Sequence, residues 1–177
     1  MTELVSDIPV PRLRERLAGA GLGFHLGAAR VRVRSDVAQL ADAVSSVYRH
    51  FPIDVPEGFF DVTIEIQRVG GIRRHLHPQI RFVVDGDAPF EPFPATVHLP
   101  LMEWGMNFAL TERCLPYLLL HSGSVERDGV GVVLPAIPGS GKSTLTAALV
   151  SSGRYRLLSD EFGVLDMDTG LLQPMLR

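Results

Sequence analysis

Apolar and polar positions alternate along Phe24–Arg34, where Phe24, Leu26, Val31 and Val33 interleave with Arg30, Arg32 and Arg34. Successive side chains on a strand point to opposite faces, so this stretch predicts a strand pair or one long bent strand. The alternation returns over Phe60–Val69, with Val62, Ile64 and Ile66 set against Thr63, Glu65 and Gln67, and again over Ile80–Val84 up to the turn Asp85-Gly86. Between the first two, the spacing becomes helical: Val37, Leu40, Ala41, Val44, Val47 and Tyr48 share one face, and Asp36 is the predicted cap. Gly70-Gly71 marks a turn, and four prolines make residues 88–100 a connector. The first dozen residues, with Pro9 and Pro11, read as a loose lead-in. Leu101–Leu120 has helical spacing broken by Pro116, which predicts a helix followed by a short second piece.

From His121 onward the pattern becomes more telling. His121–Arg127, the turn Asp128-Gly129 and the apolar run Val130–Leu134 predict a hairpin. A glycine-rich run, Ala136-Ile137-Pro138-Gly139-Ser140-Gly141-Lys142-Ser143, follows directly. The Ala- and Leu-rich segment 143–151 then reads as a helix ended by Gly153. Strand, glycine loop and helix in that order form a polyphosphate cradle, because backbone N–H groups and the positive end of a helix converge on phosphate oxygens. Ala136 stands where the pattern has its first glycine. Ala136, Ile137, Pro138, Gly139, Ser140, Gly141, Lys142, Ser143 and Thr144 are the candidate nucleotide contacts, with Lys142 reaching the β- and γ-phosphates and the Ser143 hydroxyl reaching Mg²⁺. Tyr155–Leu158 predicts a short strand ending at Ser159-Asp160-Glu161, and Gly163–Asp166, the turn Asp168-Thr169-Gly170 and Leu171-Leu172 predict a closing hairpin.

Composition narrows the picture. With 46% of its 177 residues apolar, the chain has the material for a packed core of one ordinary domain, or somewhat more. A net charge of −3 without a basic block gives no electrostatic case for a nucleic-acid partner. No long apolar run or signal segment marks a membrane partner, so the expected compartment is the cytoplasm. The single cysteine, Cys114, excludes an internal disulfide and reads as a core thiol. Trp104 and Phe108, one turn apart, are explained by packing. His50, His75, His77 and His98 read as surface or turn residues, and Arg73-Arg74 with His75 and His77 as a solvated basic loop.

The segment HSGSVERDGVGVVLPAIPGSGKSTLTAALVSSGRYRLLSDEFGVLD, His121–Asp166, resembles the HPr kinase/phosphorylase group, whose nucleotide domain is similar to that of phosphoenolpyruvate carboxykinase. The Trp104-containing helix and the N-terminal region look more like the HprK-related kinase A proteins. The fold this implies is α/β. A phosphate-loop nucleotide-binding domain with a mixed sheet would occupy residues 101–177, and a smaller α+β region of unassigned role residues 1–100. The resemblance also implies that the C-terminal part of a kinase core is missing, which would leave exposed strand edges.

The activity implied is ATP- and Mg²⁺-dependent transfer of a γ-phosphoryl group to a serine of a small protein or peptide, in a possible homo-oligomer. Asp160 would be base or metal-proximal acid and Glu161 a metal partner. The family pattern has two aspartates here, so Glu161 is one methylene too long for an identical role. His121 would hydrogen-bond Asp160 and tune it, giving Asp160, Lys142 and His121 as catalytic candidates and Ser143, Asp160 and Glu161 as metal candidates. An acidic pair at a strand end is also an ordinary solvated feature. A nucleotide-binding scaffold without catalysis therefore stands as the alternative, and a carboxykinase acting on a small metabolite is disfavoured because the substrate-binding half is absent.

Overall fold

The computed structural model describes residues 3–54, 58–71, 76–113, 116–137 and 139–175, which form a mixed α/β protein with four α-helices among them. Cys114, Arg73-Arg74-His75 and Pro138 lie outside the described residues. The chain divides into two compact units, residues 1–25 with 30–113 and residues 26–29 with 114–177.

The first unit runs β1 (Glu3–Leu4), α1 (Val10–Ala18), β2 (Leu22–His25), β3 (Arg30–Ser35), α2 (Ala38–Val47), β4 (Pro52–Asp54), β5 (Val62–Arg68), β6 (Gln79–Val84), β7 (Phe93–Pro94) and α3 (His98–Arg113). Its seven strands lie in the order β1-β4-β2-β3-β5-β6-β7. The sheet is mixed: β3 and β5 run parallel, Val31 opposite Val62 through Ser35 opposite Ile66, and the other ladders are antiparallel. The alternation read from the sequence is the cause of this layering. Val31, Val33, Val62, Ile64 and Ile66 are buried on one face under helices that contribute Leu40, Val44, Met102, Met106 and Leu110, while Arg30 and Arg34 reach the other face and Arg32 lies half-buried there, 4.4 Å over the Phe60 ring.

Five expectations change here. The lead-in is structured: α1 buries Leu13 and Leu17 completely, because Pro9 at its N-cap and Pro11 in its first turn suit a helix start, where proline's missing N–H costs nothing. The helix cap is Val37, without a side-chain bond. Asp36 Oδ1 instead accepts the Arg68 N–H at 2.7 Å, and Val47 is exposed rather than facing the core. The boundary set at residue 100 falls at 113, since α3 buries Leu101, Met102, Met106 and Leu110 against the first sheet. Beyond Pro116 the chain continues as strand, not as a second helical piece. Trp104 is 46% exposed and packs at 4.6 Å on Phe90, so it belongs to an aromatic cluster at the surface rather than to the interior. Leu17→Ala is expected to cost about 2–5 kcal/mol of stability, as deletion of a buried side chain does, read as a lower urea midpoint. A negligible change would return this segment to a loose lead-in.

The second unit comprises β8 (Tyr117–Arg127), β9 (Val130–Pro135), α4 (Lys142–Ser151), β10 (Arg156–Ser159), β11 (Phe162–Asp166) and β12 (Leu172–Gln173). β8 is its axis. β9 takes one edge, from Val130 opposite Arg127 to Pro135 opposite Ser122. β10 and β11 follow one another along the other edge, from Arg156 opposite Glu126 to Asp166 opposite Tyr117, with a register shift between Leu157 and Ser159. Every ladder is antiparallel, so β9 and β10 run parallel to each other with β8 between them. Among the described residues β9 pairs only with β8, and its Val130 is 64% exposed.

Two turn carboxylates tie this unit to pH. The Gly129 N–H and then the Arg156 guanidinium hold Glu126 below its ordinary value of 4.5, and the Thr169 and Asp168 N–H groups hold Asp166 below 3.8. A depressed carboxylate stabilises the fold at pH above its unfolded value, and that contribution is lost as pH falls through the lowered folded value. Glu126→Gln is therefore expected to lower the urea midpoint at neutral pH, with the gap to wild type closing below about pH 4. A gap independent of pH would show that Glu126 acts by packing alone.

Candidate functional site

The parallel course of β9 and β10 decides where the chemistry-bearing residues meet. Both strands end beside the same stretch of β8, β9 with Pro135 opposite Ser122 and β10 with Ser159 opposite Ser124. The glycine loop leaves the end of β9 and the acidic pair leaves the end of β10, so both emerge at one edge, next to His121. Ligand sites of α/β units form at such carboxyl ends, where loops rather than strands control the surface.

The loop has the backbone that its glycines permit. Gly139 and Gly141 take φ of 81° and 87°, a region costly for residues with a Cβ, and Gly141 is the N-cap of α4. Within the loop, the Ser140 N–H and hydroxyl donate to the Ile137 carbonyl at 3.2 and 2.7 Å. Lys142, Ser143 and Thr144 form the first turn of α4, where helical geometry leaves the amides without intrahelical acceptors. Ser143 and Thr144 are exposed, Ala136 is half-buried and Ile137 is 78% exposed.

Lys142 spans the gap to the acidic turn. Its Nζ lies 3.4 Å from His121 Nε2 and 3.3 Å from the main-chain oxygen of Asp160. An ammonium only donates, so Nε2 accepts, and the neutral ring carries its proton on Nδ1. That nitrogen faces Glu161 Oε2 at 4.0 Å. His121 thus stands between Lys142 and Glu161, and the expected hydrogen bond from His121 to the Asp160 side chain is not formed. The reason is pleat geometry: His121 pairs with Phe162 in the β8–β11 ladder, one step beyond Glu161. The structure therefore brings Lys142, His121, Glu161 and Asp160 together, Asp160 meeting Lys142 through its backbone.

The Asp160 carboxylate has a different setting. Its Oδ1 is buried without a hydrogen-bond partner, a costly state for an acceptor unless a donor or cation arrives. It lies against Gly123, where an added Cβ would be 3.7 Å from Oδ1 and in collision with Thr146 Oγ1. Thr146 is the buried residue of α4, and its hydroxyl donates to the Lys142 carbonyl at 3.0 Å. Gly123 and Thr146 fix how closely α4 lies on β8, and neither was singled out from the sequence. The available signal was the small-residue run Ser122-Gly123-Ser124 inside a strand whose other residues are all larger.

The donor set fits a magnesium–triphosphate complex in character. Mg²⁺ is commonly held by one or two carboxylates plus phosphate oxygens and water, and the unpartnered Asp160 Oδ1 and the exposed Ser143 hydroxyl are oxygens of that kind. Among the described residues no group of three or more His, Cys, Asp or Glu is arranged to hold a metal by itself. Among them, too, no helix is long and apolar enough to cross a membrane. No protein-family model, curated protein or solved structure matches the chain.

Proposed function

We propose that the second unit binds ATP with Mg²⁺ and transfers the γ-phosphoryl group to a serine hydroxyl of a small protein or peptide. The observation that carries this reading is the meeting of a glycine loop, its Lys142 and the Asp160-Glu161 turn at the carboxyl ends of two parallel strands. Phosphoryl transfer asks a protein chiefly for positioning and charge neutralisation, and these residues are of the right types. In this reading the loop and first-turn amides of α4 and Lys142 Nζ bind the phosphates, while Ser143 and Asp160 hold the metal, which neutralises phosphate charge when bound. Asp160 also orients the acceptor hydroxyl. His121 holds Lys142 and Glu161 in register, and Glu161 acts on the metal through water.

A second reading, a nucleotide-binding module without catalysis, is favoured by the way the loop satisfies itself. Ser140 bonds back to Ile137, and Lys142 rests on protein groups. Incubation of the chain with γ-labelled ATP, Mg²⁺ and the small proteins encoded beside it separates the two. Label on a partner serine supports the kinase. Magnesium-dependent ATP binding without label supports the module, and no magnesium-dependent binding overturns both.

A further inference from the structure

The first unit has a cleft of its own, about 820 Å³ in volume and remote in sequence from the phosphate loop. It opens at the carboxyl ends of the parallel pair β3 and β5, where Asp36 follows β3 and Arg68-Val69 closes β5, and it extends to β6 and to His98 at the start of α3. This is where α/β sheets place ligands, and the volume is that of a small-molecule site.

Its lining has two chemistries. Val37, Val69, Pro78 and Ala95 supply an apolar wall. Asp36, Arg68 and His98 supply charge and hydrogen bonding, and they are complementary to one another. Asp36 Oδ1 is anchored by the Arg68 N–H at 2.7 Å, whereas Oδ2 and the Arg68 Nε stand 3.6 Å apart, a loose ion pair with the guanidinium side chain 66% exposed. A guanidinium presents several N–H donors, so one carboxylate neighbour leaves others for a second. His98 Nδ1 lies 3.0 Å from the Ala95 carbonyl. A carbonyl only accepts, so Nδ1 carries the proton, and the neutral ring keeps Nε2 as an acceptor. The charged and imidazole groups therefore offer donors at Arg68 and acceptors at Asp36 and His98, beside an apolar wall and the neutral polar side chains of Gln39, Gln79 and Thr96, and the Asp36–Arg68 pair balances in charge.

We propose that this cleft binds a small amphipathic carboxylate that also carries a hydrogen-bond donor group, an apolar α-amino acid being the simplest member of the class. The carboxylate takes the free face of the Arg68 guanidinium, the donor group meets Asp36 or His98, and the apolar body lies on Val37 and Val69. A ligand of one charge alone pairs with only one of these two groups, whereas one carrying both a carboxylate and a donor pairs with both.

The experiment is an amide-shift titration of the full chain, without nucleotide, using leucine, isocaproate and isoamylamine as probes. Leucine is expected to give saturable shifts at Val69, Gly70 and His98, isocaproate to bind more weakly and isoamylamine more weakly still. Arg68→Gln is expected to weaken leucine roughly tenfold or more, and Arg68→Lys, which keeps the charge but not the fork, to fall between. Arg68 is exposed, so unchanged spectra elsewhere will show that the fold is intact. Absence of leucine shifts at millimolar concentration, isoamylamine binding as well as leucine, or an affinity untouched by Arg68→Gln would each overturn the proposal. None of these outcomes bears on the phosphate loop.

Discussion

Lys142→Ala is expected to reduce phosphoryl transfer roughly 10²- to 10³-fold, the scale on which a preorganised charge directed at a reacting group acts. The expectation follows from where the side chain lies and what holds it. Nζ sits between the first turn of α4 and the acidic turn, with contacts of 3.3 and 3.4 Å that are long for an ammonium. Such contacts contribute little to folding, so the variant should keep the wild-type urea midpoint while losing ATP affinity. Lys142→Arg is expected to recover little, because a broad planar guanidinium fork does not replace a compact ammonium among phosphate oxygens. The measurements are calorimetry with Mg²⁺ and ATP, and transfer of label to an acceptor. Near-wild-type transfer by Lys142→Ala would end the assignment of Lys142, and with it the roles given to Asp160 and His121.

Much of the second unit was legible because its signals are local. Asp128-Gly129 carries the two positive φ angles, 53° and 80°, that a tight hairpin requires, and Gly141 marks the start of α4 in the same way. The alternation in Phe60–Val69 gave β5 for the same reason, since one buried face dictates period two. Misreadings arose where tertiary packing overrode local chemistry. Pro9 and Pro11 suit a loose segment by local chemistry, although proline is equally at home in a first helical turn, and only the burial of Leu13 and Leu17 distinguishes the cases. The surroundings of the helix at 98–113 are not legible in the sequence, because periodicity reports that a face is buried and not against what. At the site, the order of the elements implies that Lys142, His121 and the acidic pair lie near one another, but not which of them His121 faces. Partnership across β8 and β11 depends on register, which a one-residue step changes.

Gly123→Ala is expected to damage the site more than the fold. A Cβ here collides with Thr146 Oγ1 while approaching Asp160 Oδ1 only to ordinary contact, 3.7 Å, so the strain is directed at α4. Thr146 is the buried residue of that helix and its hydroxyl is bonded back to the Lys142 carbonyl, so either that hydroxyl rotates and gives up its bond or α4 lifts at its N-terminal end, and both disturb the turn that carries Lys142 and Ser143. Overpacking of this kind costs about 1–3 kcal/mol. A displacement of about 1 Å between catalytic groups costs on the order of 10²-fold in rate. Transfer should therefore fall much further than the loss of stability alone accounts for. Thr146→Ala removes the colliding oxygen and leaves its Cβ 3.5 Å from the new methyl, an ordinary contact. The double variant Gly123→Ala/Thr146→Ala is thus expected to regain most of the affinity and transfer lost by Gly123→Ala, a coupling that a double-mutant cycle on ATP affinity measures directly. Additive losses would mean that Gly123 serves the strand rather than the approach of α4, and that the spacing between Lys142 and the acidic turn is set elsewhere.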